Sequence, residues 1–163
     1  MIKNLLLRIT GKVIATFPKI LMGWYFTRKR LADQIEIEIL SRNEPITLDF
    51  GQTASVRVHL SVRNFGPLDV ELDRIILEVE YKGAHSEVTY QKKLILIGRP
   101  KEKQDILMMN DLSERFANTG SVGVETTCTL RIHAEFNSSF GSFHVTRTLE
   151  RCAPRVLNPR PQK

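Results

Sequence analysis

Val56-Arg57-Val58-His59-Leu60-Ser61-Val62-Arg63-Asn64 decides the fold reading of this chain. Aliphatic residues occupy every second position from Val56 to Val62, and polar residues fill the positions between. A period of two puts one row of side chains in a core and the other in solvent, which is the signature of a half-buried β-strand. The same alternation extends in both directions. Upstream stands Ile35-Glu36-Ile37-Glu38-Ile39. Downstream, Val70 and Leu72 alternate with Asp69, Glu71 and Asp73. Ile75, Leu77, Val79 and Tyr81 then continue in the opposite phase, which predicts a bulge near Arg74. Further runs are Glu87–Ile97, Gln104–Met109, Val122–Phe136 and Phe143–Leu149.

Turn chemistry separates these runs at Asn43-Glu44-Pro45, Asn64-Phe65-Gly66-Pro67, Lys82-Gly83, Gly98-Arg99-Pro100 and Asn137-Ser138-Ser139-Phe140-Gly141. Asp111-Leu112-Ser113-Glu114 reads as a capping box opening a short helix that Gly120 ends. The expectation is a mainly β protein: an immunoglobulin-like antiparallel β-sandwich of seven or eight strands over residues 33–150. A small closed barrel is the alternative. The tail from Ala153 to Lys163 carries three prolines and no apolar period, and is expected to be extended.

The strand ending in Asn64, the turn with Gly66-Pro67, the strand Leu68-Asp69-Val70-Glu71-Leu72 and the stretch Ile75–Gly83 together carry a resemblance. Over about residues 50–150 the chain resembles the late-embryogenesis-abundant type 2 domain, also called the water-stress and hypersensitive-response domain. Thr129–Phe136, Gly141 and Phe143–Leu149 are compatible with that family's closing hairpin. Asn64-Phe65 stands where the family usually has Asn-Pro, and proline arrives only at Pro67. Other immunoglobulin-like modules share the alternation. The resemblance implies a seven- or eight-stranded sandwich without catalytic residues, tethered near membranes and linked to stress or lipid handling.

Charge divides the chain. Its net charge is +6, yet residues 1–30 hold Lys3, Arg8, Lys12, Lys19, Arg28, Lys29 and Arg30 with no acid. The tail from Arg151 onward is likewise acid-free, so all 18 carboxylates fall in the middle. A basic segment that is also apolar points to an anionic membrane rather than to nucleic acid. On a helical wheel Ile2, Leu5, Leu6, Ile9, Val13, Phe17, Ile20 and Trp24 share one broad face, opposite Arg8, Lys12 and Lys19. That predicts an N-terminal amphipathic helix, kinked at Pro18, over residues 1–32. The longest uncharged run, Ile20–Thr27, is far short of the roughly 20 residues a bilayer requires. The segment is therefore expected to lie in the interface, Trp24 and Tyr25 at headgroup level and Arg28, Lys29 and Arg30 on lipid phosphates. A cleaved transit peptide, a secretory signal and a helix packing on subunits of a membrane complex are the competing readings.

Candidate chemistry is sparse. His59, His133 and His144 fall at outward parity, and no histidine has a metal-like spacing to another ligand. His133 and His144 are placed to face each other across the last hairpin. Asp69, Glu71, Asp73, Glu78 and Glu80 form an acidic strand face, read as solvated rather than as a calcium site or acid/base pair. Asn137-Ser138-Ser139 matches a glycosylation sequon and is read as turn chemistry. Cys128 shares parity with core residues, whereas Cys152 falls on the opposite parity, which argues against a bridge and favours a reducing compartment. The expectation is a non-enzyme without metal, cofactor or nucleic-acid partner, peripheral on the cytoplasmic side of a membrane.

Overall fold

The computed structural model describes residues 25–40, 44–98, 103–118 and 127–159. Strand β3 (Ser55–Asn64) runs through the centre of the first sheet, with Val56, Val58, Leu60 and Val62 all turned into the core. On one flank it pairs antiparallel with β7 (Gln104–Asp111). The other flank is shared by β1 (Ile35–Ile39) along its C-terminal half and β2 (Ile46–Asp49) along its N-terminal half. These two behave as one broken strand. The Leu40 N–H donates to the His59 carbonyl and the His59 N–H to the Pro45 carbonyl, so His59 bonds to the end of one and the start of the other. Strand β10 (Arg155–Leu157) completes this sheet, parallel to β2.

The second sheet is built the same way on β4 (Val70–Tyr81). Its register against β8 (Cys128–Ser138) shifts between Leu72 and Arg74. The extra residue resets the phase, so that Val70 and Leu72 before it and Ile75, Leu77, Val79 and Tyr81 after it all face inward, as the sequence predicts. β5 (Ala84–Tyr90) and β6 (Leu94–Leu96) occupy the far flank of β4 in succession, again a broken strand. Beyond β8 lies β9 (Gly141–Cys152). Ten strands are thus described where seven or eight are expected, because the run Glu87–Ile97 is divided between β5 and β6, and β2 and β10 are additional. Among the described residues one pair, β2 with β10, is parallel and departs from the antiparallel expectation.

Turns follow local chemistry. Lys82 (φ 49°) and Gly83 (φ 75°) make a two-residue turn with both residues left-handed, the geometry that matches the twist of a β-hairpin. Ser113 caps the short helix α2 (Glu114–Ala117) by accepting the Phe116 N–H on its hydroxyl, so the cap falls two residues after the predicted Asp111. Phe116 then packs against Phe50 and Tyr81, with ring centroids 6.3–6.5 Å away. At the other end of the sandwich Phe136 and Phe143 stack at 5.3 Å. Both aromatic groups belong to one continuous core between the sheets.

Candidate functional site

Among the residues singled out for attachment, Leu5, Leu6, Ile9, Val13, Phe17, Ile20 and Trp24 lie outside the described residues, as does most of the expected helix over residues 1–32. Tyr25, Arg28, Lys29 and Arg30 are described, and all four are exposed. The helix present there, α1 (Arg28–Asp33), is short. Thr27 opens it by accepting the Arg30 N–H on its side chain, and Gln34 closes it. α1 lies against β9 and leads into β1. Leu31 is buried in the core, and Phe26 stacks on Phe140 of the β8–β9 turn at 5.4 Å. Phe26 and Leu31 therefore pack on the sandwich, while Tyr25 and the basic residues face out.

Two outward side chains are held in place. The Tyr25 ring meets Phe26 edge-on at 5.1 Å. The Arg30 guanidinium lies over the same tyrosine, also at 5.1 Å, and its Nη1 donates to the Tyr25 carbonyl at 3.2 Å. Such a cation–π contact stabilises by roughly 0.5–1 kcal/mol at an exposed position. It leaves the charge facing solvent.

The neighbouring loops add two exposed apolar residues that the sequence pattern did not single out. The Phe65 N–H donates to the Gln34 carbonyl at 2.8 Å, tying the β3–β4 loop to the end of α1. The Phe65 ring is half exposed beneath the Arg63 guanidinium, 5.3 Å from the centroid. Ile97 is 64% exposed, one residue before Gly98, whose N–H donates to Asp69 Oδ1 at 2.8 Å. A Cβ on Gly98 would come within 2.7 Å of the Pro67 backbone, so only glycine permits this loop-to-loop approach. An aromatic residue inside an Asn-Phe-Gly-Pro turn has no core to enter, and that was the available signal for Phe65.

Asn64 fastens this end together. Its side-chain amide donates to the Leu68 carbonyl at 2.7 Å and the Leu96 carbonyl at 3.2 Å, while its Oδ1 accepts the Gly66 N–H at 2.9 Å. The asparagine that closes the family-like pattern is therefore a 2% exposed tie between three segments.

The acidic face of the second sheet is interleaved with cations. Lys93 Nζ lies 2.9 Å from Glu71 and 3.7 Å from Asp73, and Arg131 reaches Glu78 and Glu80 at 3.8 and 3.7 Å. Arg74 pairs with Glu135 at 2.6 Å, and its hydrogen bond holds that carboxyl below the ordinary carboxylate range. His133 and His144 do not face each other: they stand opposite Thr146 and Glu135 respectively. Among the described residues no three metal-ligating side chains converge. Asn137 of the sequon-like turn accepts the Ser142 hydroxyl at 2.7 Å. The parity reading of Cys152 is overturned. It is the direct cross-strand partner of Cys128, because the register shifts between Cys128 and Leu130 and Arg151 takes φ 55°.

No family model matches the sequence, and no curated protein matches it either. Solved structures do. The Northeast Structural Genomics Consortium target SoR45 superposes over 82% of this chain and 97% of its own, with a TM-score of 0.51 at 11% identity. A Bordetella pertussis protein provisionally named ApaA gives 0.45 at 12% identity over 74% of this chain and 91% of its own. A protein provisionally described as late embryogenesis abundant gives 0.47 at 10% identity over 88% and 83%. At such identities the likeness to the first of these speaks to the shared fold alone.

Proposed function

We propose that this protein is a non-catalytic, membrane-peripheral module: an immunoglobulin-like sandwich of the late-embryogenesis-abundant type 2 kind, held at an anionic lipid surface by its N-terminal segment. One observation carries the reading. Phe26 and Leu31 pack on the sandwich and hold the basic residues between them at its surface. Tyr25, Phe65 and Ile97 are exposed at the end that also carries Arg28, Lys29, Arg30 and Arg63. Aromatic and aliphatic side chains among bases suit the boundary between headgroups and acyl chains. Among the described residues no helix is long and apolar enough to cross a bilayer, which is compatible with attachment at the surface. The strand order, β7–β3–(β1, β2) facing (β5, β6)–β4–β8–β9, supports the immunoglobulin-like assignment. The pattern ending in Asn64 supports the family.

Vesicle flotation tests this reading. The full chain is expected to float with vesicles of mixed phosphatidylcholine and phosphatidylserine, and less so as salt rises. Each base near such a surface contributes about 1 kcal/mol. The variant Trp24→Ala, Arg28→Ala, Lys29→Ala should therefore bind more than about tenfold more weakly with unaltered melting. Flotation that ignores both salt and this variant, or no flotation at all, removes the lipid reading. The latter result leaves the same segment to pack on subunits of a membrane complex.

A further inference from the structure

The two cysteines of the chain meet across the last hairpin. Cys128 opens β8, Cys152 closes β9, and the two are register partners. Cys128 is 2% exposed within the core, and Cys152 is half-buried and packed against the same core. Its Sγ donates to the Leu149 carbonyl at 3.5 Å. Directly opposed residues of an antiparallel pair have Cα atoms about 4.5–5.5 Å apart. That separation falls inside the roughly 4.4–6.8 Å a disulfide spans. Both thiols are free in this state.

Their position gives the pair a consequence. Past Cys152 the chain leaves the second sheet and, after two intervening residues, enters β10 on the first. β10 is three residues long, and the Phe50 N–H donating to the Leu157 carbonyl at 3.0 Å is one of the bonds that seat it. We propose that Cys128 and Cys152 form a reversible cross-strand disulfide, a redox clasp that fixes the bulge at Arg151 and so seats β10 on β2. The oxidant is a small-molecule disulfide such as oxidised glutathione. The half-buried Cys152 loses its proton and its sulfur attacks one sulfur of the reagent, breaking the reagent's S–S bond and releasing one thiolate. Cys128 then loses its proton and attacks Sγ of Cys152, forming the protein S–S bond and expelling the second thiolate. Two protein thiols are oxidised, one reagent disulfide is reduced to two thiols, and the two protons end on those thiols. Burial pushes the Cys128 thiol up to about 12, and raises Cys152 too, so closure is slow without a catalyst.

The test uses the full native chain with oxidised glutathione, followed by alkylation and mass analysis. The expected product has lost two hydrogens, takes no alkyl groups, and yields a peptide joining Cys128 to Cys152. Its melting point should rise by roughly 10 °C, as expected for a closed loop of this size. Exchange of the Phe50 amide should slow, and reduction should reverse both effects. Cys128→Ser should stop at one glutathione on Cys152. Should that variant not fold, Cys152→Ser is expected to take no glutathione and to show no slowing at Phe50. Two glutathiones per chain, a bridge between chains, or thiols that react only after unfolding would overturn the pairing. A formed bridge with unchanged Phe50 exchange would overturn the clasp.

Discussion

Replacing Asn64 with alanine removes one side chain and strands three backbone groups. The Leu68 and Leu96 carbonyls lose their donor, and the Gly66 N–H loses its acceptor. Gly66 is buried, and its Cβ position already lies 2.6 Å from Gln34 Oε1, so water has little room to take the vacated bonds. A buried polar group left without a partner costs about 1–3 kcal/mol. Leu68 is only partly buried and recovers part of its bond from solvent. The sum is a loss of about 3–5 kcal/mol, or roughly 10 °C or more in melting temperature for a domain of this size. Denaturant unfolding of the wild type and Asn64→Ala, with equal slopes, measures it. Asn64→Asp is the sharper control. It keeps the acceptor for Gly66 but aims a carboxylate at two carbonyl oxygens, which raises its folded pKa above the unfolded value. Its deficit should therefore be small in acid, where the carboxyl is protonated, and grow as pH rises through that raised pKa. A loss below about 1 kcal/mol for Asn64→Ala, or a pH-independent deficit for Asn64→Asp, would refute the claim that this residue ties the three segments.

Val58→Asp places a charge at a 1% exposed position of β3 and is expected to cost more than about 4 kcal/mol, read as loss of cooperative melting; a soluble variant with native melting would show the strand phase to be wrong. The Asp49 carboxyl is held below its usual range by hydrogen bonds from Asn158 and from the Gly51 N–H. A depressed carboxyl pKa stabilises the fold above the unfolded value and ceases to do so as pH falls through the folded one. Asp49→Asn should therefore melt lower than wild type at neutral pH, with the gap closing on acidification; a gap that persists in acid would assign the effect to packing.

How much of this architecture the sequence carried depends on what sets each element. β3 and β4 were legible because burial on one face enforces alternation, and even the bulge near Arg74 left a trace as a phase change. β2 was not, because four residues supply only two inward side chains, Ile46 and Leu48. β10 follows Pro154 and takes its place from backbone pairing with β2, which leaves no periodic mark. Cys152 was assigned to the wrong face for a related reason: parity counting assumes an unbroken pleat, and Arg151 breaks it. At the candidate site, exposure of Tyr25 and Arg28–Arg30 followed from their basic, aromatic composition. The packing of Phe26 and Leu31 on the sandwich did not, since an apolar face reads identically whether lipid or protein covers it. Phe65 and Ile97 came together only through tertiary structure, by way of the bonds that Gln34, Asn64 and Gly98 make.

The interruption between β5 and β6 bears on how copies of this chain behave when crowded. A strand from another molecule that tried to extend the sheet there would run along seven residues of β5, meet Lys92 and Lys93, and find only three more residues in β6. β5 itself reads Ala-His-Ser-Glu-Val-Thr-Tyr, too polar to template a dry zipper. Short, lysine-flanked borders of this kind resist fibril growth. Any surface that gathers the protein to high local density makes that resistance more valuable, and at this border it is built into the chain path.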